Sequence, residues 1–200
     1  MSVRHEIGQG STCMKVDPTR TWAAVEAAYE AATNPRHKKL LKEVRDHMKT
    51  EVCGEIDALM ATLTAEPQYH IWGQGPDRGP KGREAVLAFY TTLIGSGGNL
   101  FEFNVEKIIV DDDAVVTEGT LRNTHAGSVL LAAGVREVNG EPVDAGATYV
   151  SSAQLLTVWP ADPDGKLIGE DIYFGTNPFD RLDRLAPADA PQAVSFASVS

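Results

Sequence analysis

Apolar residues recur at two different periods along this chain, and the period changes near its middle. Trp22, Val25, Tyr29 and Ala32 fall at spacings of three and four, which predicts a helix with one buried stripe. Asp17 or Thr19 can cap it, Pro18 suits its first turn, and Asn34-Pro35 ends it, because the residue before a proline avoids the α region. A longer helical segment follows from Pro35 to about Leu63, with Leu41, Val44, Met48, Val52, Ile56, Leu59 and Leu63 as its stripe and a bend expected at Gly54. Glu66–Trp72 reads as a short aromatic strand. The loop GQGPDRGPKG leads from it into a helix over Gly82–Ile94, with Ala85, Val86, Phe89, Tyr90 and Leu93 inside.

Beyond residue 100 the pattern becomes that of strands. Leu100–Val110, Ala114–Gly127, Tyr149–Trp159 and Lys166–Phe174 are predicted strands, and Val129–Val135 a short one. Asp111–Asp113 and PADPDG are turns, and VNGEPVDAG is a loop. Helices first and antiparallel strands after define an α+β domain, in which a curved sheet wrapped around helices leaves a ligand-sized cavity. Alternation along the second strand puts Val115, Thr117, Gly119, Leu121, Asn123 and His125 on one face, so His125 is expected to point inward unless a bulge at Gly119 reverses the pattern.

Composition narrows the functional classes. The 200 residues, 42% hydrophobic and 23% charged, suit one soluble domain over residues 18–185, between an arm (1–17) and an Ala/Pro/Ser-rich tail (186–200). A formal charge of −10 argues against a nucleic-acid surface. No apolar run is long enough for a membrane span, and MSVRHEIGQG lacks a secretory h-region, so a cytoplasmic location is expected. Cys13 and Cys53 are too few for a disulfide framework or a Cys-rich metal site. The glycine-rich loop lacks Walker spacing, Asp111–Asp113 lacks the EF-hand positions, and there is no G-x-S-x-G elbow.

Several residues carry chemistry. His125 titrates near neutrality when unperturbed and is the first candidate general base. Glu170 shares a strand face with Ile168, Ile172 and Phe174, and burial there would raise its carboxyl pKa into a useful range; Asp171, beside Tyr173 on the other face, is the alternative acid. Tyr149 could donate to a developing oxyanion. His70 and Trp72 share a face next to Tyr69, giving an aromatic wall with one polar handle. Arg122 could bind an anionic group, although pairing with Glu118 is its duller role. His47 and Glu51 stand four apart, either as a pair at a pocket rim or, the favoured reading, as a surface i,i+4 pair. They form H-x-x-x-E, but a third ligand would have to come from distant sequence, so no metal is expected.

Four stretches carry a resemblance: EIDALMATLTAEPQYHIW, GPKGREAVLAFY, RNTHAG and DGKLIGEDIYF. Their order resembles the NTF2-like superfamily, specifically its SnoaL-like branch. RNTHAG is similar to the G-T-H-x-G of SnoaL-like cyclases, with Asn123 in place of glycine, and GREAVLAFY is similar to G-x-x-A-I-x-x-F-Y. An extra residue around Gly169 leaves open whether Glu170 or Asp171 faces inward. The resemblance implies a cone-shaped α+β barrel packed on N-terminal helices around a deep apolar pocket, a homo-oligomer (dimer or trimer), and acid–base chemistry without metal or organic cofactor. The implied activity is a lyase or isomerase acting on an aromatic or polycyclic molecule, lignin-derived diaryl or polyketide- and steroid-like compounds included. Catalysis would fall to His125, Glu170, Asp171, Tyr149 and His70, and substrate contact to Tyr69, Trp72, Phe89, Tyr90, Arg122, Tyr173 and His47. The contrasting class is a non-catalytic module that holds a hydrophobic ligand or a protein partner; convergence of ionisable groups in the cavity separates the two.

Overall fold

The computed structural model describes residues 15–73 and 75–195. Helix α1 (Arg20–Ala31) buries Trp22 and Val25, and α2 (Pro35–Cys53) begins where the Asn34 side chain accepts from the backbone N–H groups of Arg36 and His37. Gly54 ends α2 in the left-handed region (φ 74°), which costs a glycine little, and α3 (Ile56–Ala61) restarts the helical path. The expected bend at Gly54 is therefore a break between two helices. The stripe from Leu41 to Leu63 packs into one core with Trp22, Tyr69, Val86, Tyr90 and Trp159.

After β1 (His70–Trp72), helix α4 (Arg83–Gly95) buries Val86 and Tyr90, with Ala85 exposed instead of inside. Strands β2 (Glu102–Val110) and β3 (Ala114–Ala126) then form a hairpin, and β3 pairs along its whole length with β6 (Thr148–Pro160). Strand β7 (Asp171–Phe174) pairs antiparallel with β6 and parallel with β1, giving the order β1-β7-β6-β3-β2, and β8 (Leu182–Leu185) adds to the start of β6. The architecture is the expected α+β type, with a mixed, mostly antiparallel sheet that does not close into a barrel.

Three local readings change. Residues 127–132 form helix α5 (Gly127–Ala132) where a strand was expected: Gly127 and Leu130 are buried, Val129 is exposed, and Gly134 at φ 91° terminates the turn. The loop VNGEPVDAG contains a small hairpin of β4 (Glu137–Val138) and β5 (Glu141–Pro142), closed by Asn139 and Gly140 at positive φ, as a tight hairpin turn requires. The last predicted strand is regular only over β7, because its first part runs as isolated bridges from Leu167 to Leu63 and Ala161. Most of the arm lies outside the described residues; where description begins, Val16 is buried with Val150 and Leu185, and its N–H donates to Asp189 O. Among the described residues no helix is long and apolar enough to cross a membrane.

Two glycines set the faces that matter. The bulge lies in β2, between Val105 and Lys107, opposite Gly119, so β3 keeps its alternation and Val115, Thr117, Leu121 and Asn123 stay on the concave side. Gly169 passes so close to the backbone before β1 that a Cβ there would sit 1.9 Å from Gln68 O. That approach aims Glu170 inward. Gly169→Ala is expected to cost about 1–3 kcal/mol of stability, the usual scale of overpacking, measured by urea denaturation; an unchanged midpoint would show that the contact does not constrain the chain.

Candidate acid–base cavity

Helix α2 places Val44, His47, Met48, Glu51 and Val52 on one buried face. His47 is 0% exposed and Glu51 9%, so the favoured surface-pair reading is overturned: their spacing is that of the apolar stripe, and both turn into the core. Tyr69 approaches from the segment before β1, Tyr90 from α4, Thr62 from the end of α3 and Glu170 from the residue before β7. Of the two alternative acids, Glu170 faces inward; Asp171 is half-buried at the β1 register opposite His70.

These side chains form one hydrogen-bonded cluster. Thr62 Oγ1 donates to Leu59 O at 2.6 Å, so its oxygen accepts from the Nδ1–H of His47 at 2.7 Å. The other ring nitrogen, Nε2, then lies 2.9 Å from the Tyr90 hydroxyl and 3.3 Å from Glu170 Oε1. Tyr90 donates to Glu170 Oε1 at 2.9 Å, and the Tyr69 and Tyr90 hydroxyls are 3.0 Å apart. Turning the Tyr90 hydrogen from Glu170 to His47 exchanges one hydrogen bond for another without moving a heavy atom. The Glu51 carboxylate receives no hydrogen bond among the described residues, yet His47, Glu51 and Glu170 each bring a ligand-type atom within 4.8 Å of the others.

The cluster forms one end of a cavity of about 200 Å³ between the helices and the concave face of the sheet. Glu51 and Glu170 line it directly, with Met48, Ile71, Phe89, Phe101, Leu155 and Phe174 among the apolar walls. Burial, and then the charge of Glu170, hold the Glu51 carboxyl well above the usual carboxylate range. Burial, followed by the same charge, keeps Tyr69 and Tyr90 firmly as phenols. An uncharged acid, a second carboxylate, an imidazole and two phenols thus meet at an apolar wall. That set can take a proton from one atom of a bound molecule and supply one to another.

The remaining candidates stand elsewhere. His125 shares the concave face of β3 but lies beyond the cavity lining, with Nε2 2.9 Å from Ser151 Oγ and its ring tilted against Phe179; burial lowers its pKa. Tyr149 sits in a second core with Leu130 and Leu182, its hydroxyl accepting from Asp144 N at 2.9 Å. His70 and Trp72 stack on the outer side of β1, where Asp77 Oδ2 is 2.7 Å from His70 Nδ1. Arg122 meets Glu102 at 3.2 Å, not Glu118, which pairs with Lys107. Tyr173 is exposed, and Phe89 is in the cavity wall.

Helices laid over the concave face of an open mixed sheet, around an apolar cavity, define the NTF2-like fold class. A SnoaL-like polyketide cyclase candidate from Shewanella putrefaciens CN-32 shares this fold at a TM-score of 0.56 and 14% identity, over 78% of this chain and 89% of that one. An NTF2-like protein from Anabaena variabilis ATCC 29413 matches at 0.51 and 12%, over 74% and 96%. The epoxide hydrolase/cyclase-like enzyme SalBIII, named for pyran ring formation in the polyether salinomycin, matches at 0.50 and 12%, over 74% and 97%. Residues 44–158 match the model of the SnoaL-like domain, and the chain belongs to that family. No curated protein sequence is significantly similar to it.

The buried acid makes stability depend on pH. Because the folded state raises the Glu51 pKa, it binds the proton more tightly than the unfolded chain, and stability falls as pH climbs from about 4.3 toward the raised value, then levels off. Glu51→Gln removes that slope. Urea denaturation from about pH 4 to pH 8 should therefore show Glu51→Gln gaining on the wild type as pH rises; a constant difference between them would mean that Glu51 is not held protonated.

Proposed function

We propose that this protein is a cofactor-independent acid–base enzyme, a lyase or isomerase, acting on a small apolar molecule. The observation that carries the reading is the pair Glu51 and Glu170, brought together at the end of an apolar cavity, with burial raising the Glu51 pKa. Glu170 is the base: it removes a proton from a carbon next to a carbonyl of the bound molecule. The Glu51 O–H donates to the carbonyl oxygen as negative charge develops there. The proton stays on Glu170; Tyr90 donates to the carboxylate before the transfer and can turn its hydroxyl to His47 Nε2 after it.

Returning the proton to a different carbon completes an isomerisation. Expelling a leaving group from the adjacent carbon, protonated as it departs, completes an elimination. Both need only positioned acids and bases. An apolar wall, and the absence of lysine or arginine among the described residues that line the cavity, favour a neutral substrate. An engineered apolar cavity of about 150 Å³ holds benzene, so about 200 Å³ here suits a single substituted ring better than a polycyclic skeleton. A binding module would need none of the buried ionisable groups, whose desolvation is costly unless they are used.

Turnover of a panel of single-ring aryl ketones by metal-stripped protein tests the reading. Glu170→Gln should lower turnover by about 10²–10⁴, the range for loss of a general base. His125→Ala, outside the lining, should stay within a few-fold of the wild type. The reverse pattern would move the chemistry to the outer end of β3, and tight binding without turnover by any variant would favour the carrier.

A further inference from the structure

The mobile proton at the end of the cavity is not the only small cation its donors suit. We propose that His47, Glu51 and Glu170 form a binding site for one divalent cation of the zinc class. This goes beyond the acid–base reading and does not depend on it, since it concerns what the three donors bind, not what they catalyse.

The geometry gathers three donor groups at one place. Two atoms bound to a tetrahedral zinc at about 2.0–2.1 Å lie about 3.3 Å apart, and His47 Nε2 and Glu170 Oε1 are separated by 3.3 Å. Glu51 completes a set whose donor atoms all lie within 4.8 Å of one another. Imidazole with two carboxylates is a donor set that suits zinc and its borderline neighbours more than calcium or magnesium, which favour all-oxygen shells.

The surroundings of the ligands point the same way. A metal-bound histidine is held by a hydrogen bond from its other ring nitrogen. Here Nδ1–H donates to Thr62 Oγ1 at 2.7 Å, and Thr62 is itself pinned to Leu59 O, so the ring turns Nε2 toward Glu170. Tyr90 steadies Glu170 Oε1 from one side. Glu51 is more than nine-tenths buried, lines the cavity, and receives no hydrogen bond among the described residues. Its carboxylate opens onto the cavity, where an ion can reach it.

Charge closes the argument. Two ionised carboxylates in an apolar cavity carry −2, which one proton reduces only to −1, whereas a dication cancels it, and neutrality is what a low-dielectric site favours. The titratable groups facing Glu51 are Glu170 from the segment before β7, His47 on α2, Tyr90 on α4 and Tyr69 before β1. On binding, bonds form from Glu51, Glu170 and His47 Nε2 to the ion, and the Glu51 proton leaves to solvent. The bound ion occupies Glu170 and therefore blocks it as a base.

The test uses metal-stripped full-length protein, Zn²⁺ by calorimetry in two buffers of different ionisation enthalpy, and Co²⁺ by visible absorption. One ion per chain, release of about one proton and the strong visible bands of tetrahedral Co²⁺ are expected. Glu51→Gln and Glu170→Gln, each checked for fold by circular dichroism, should weaken binding at least about tenfold. Asp77→Asn, which alters the exposed His70–Asp77 pair, should leave it unchanged. No uptake by the wild type, uptake that survives both glutamine variants, or loss only in Asp77→Asn would each overturn the site. Turnover plays no part in these readouts, so their failure leaves the acid–base reading standing.

Discussion

Glu51 and Glu170 are brought close together at the end of an apolar cavity, and burial there opposes two like charges. Everything distinctive about the closed end of the cavity follows from that constraint. One carboxyl must stay protonated, and the one that accepts no hydrogen bond among the described residues, Glu51, is the one whose proton is held. The other accepts a hydrogen bond from the Tyr90 hydroxyl and lies beside the imidazole of His47. The environment therefore assigns an acid and a base to two chemically identical side chains.

The scaffold maintains this arrangement from both layers. Helix α2 contributes His47 and Glu51 as two members of a face that is otherwise Val44, Met48 and Val52, so the polar pair is fixed by the same packing that holds the helix down. The sheet contributes Glu170 through the close pass of Gly169 against Gln68, which leaves no room for another orientation of that segment. Trp159, whose indole N–H donates to Thr117 Oγ1 at 2.9 Å, lies edge-on against His47 at 5.5 Å and seals the imidazole from the sheet side. The cluster leaves no fully buried side-chain nitrogen or oxygen without a hydrogen bond among the described residues, which is what such a network needs to be stable.

Most of the fold was legible because it follows from periodicity. The stripes of α1, α2 and α4 and the alternation of β3 and β6 are long enough to declare their type, and the glycine at the α2–α3 junction announces its own break. Short elements were not. Residues 127–132 and 141–142 lie where two to six residues must choose between helix, hairpin and loop, and the neighbours decide. The site was legible in part. Glu170, Tyr69, Tyr90, Phe89 and His47 could all be named, but His125 drew attention through a short motif, while the structure gathers the ionisable groups around α2. The signal that separates the two was present: His47 and Glu51 interrupt an apolar stripe, which makes them buried polar residues, whereas a solvent-facing pair would sit opposite that stripe. What no spacing could supply was Glu170 as their partner, because the 118 residues between Glu51 and Glu170 carry no information on that contact until the sheet is folded.

The account stands or falls on the protonation of Glu51. Infrared spectroscopy of the folded protein at neutral pH, with Glu51→Gln as the reference, reads it directly through the carbonyl stretch of a protonated carboxyl group. A protonated-carboxyl band in the wild type that disappears in Glu51→Gln and persists in His125→Ala is the predicted result. A wild-type spectrum with only ionised carboxylates at neutral pH would contradict the account, because the cavity would then hold two bases and no acid.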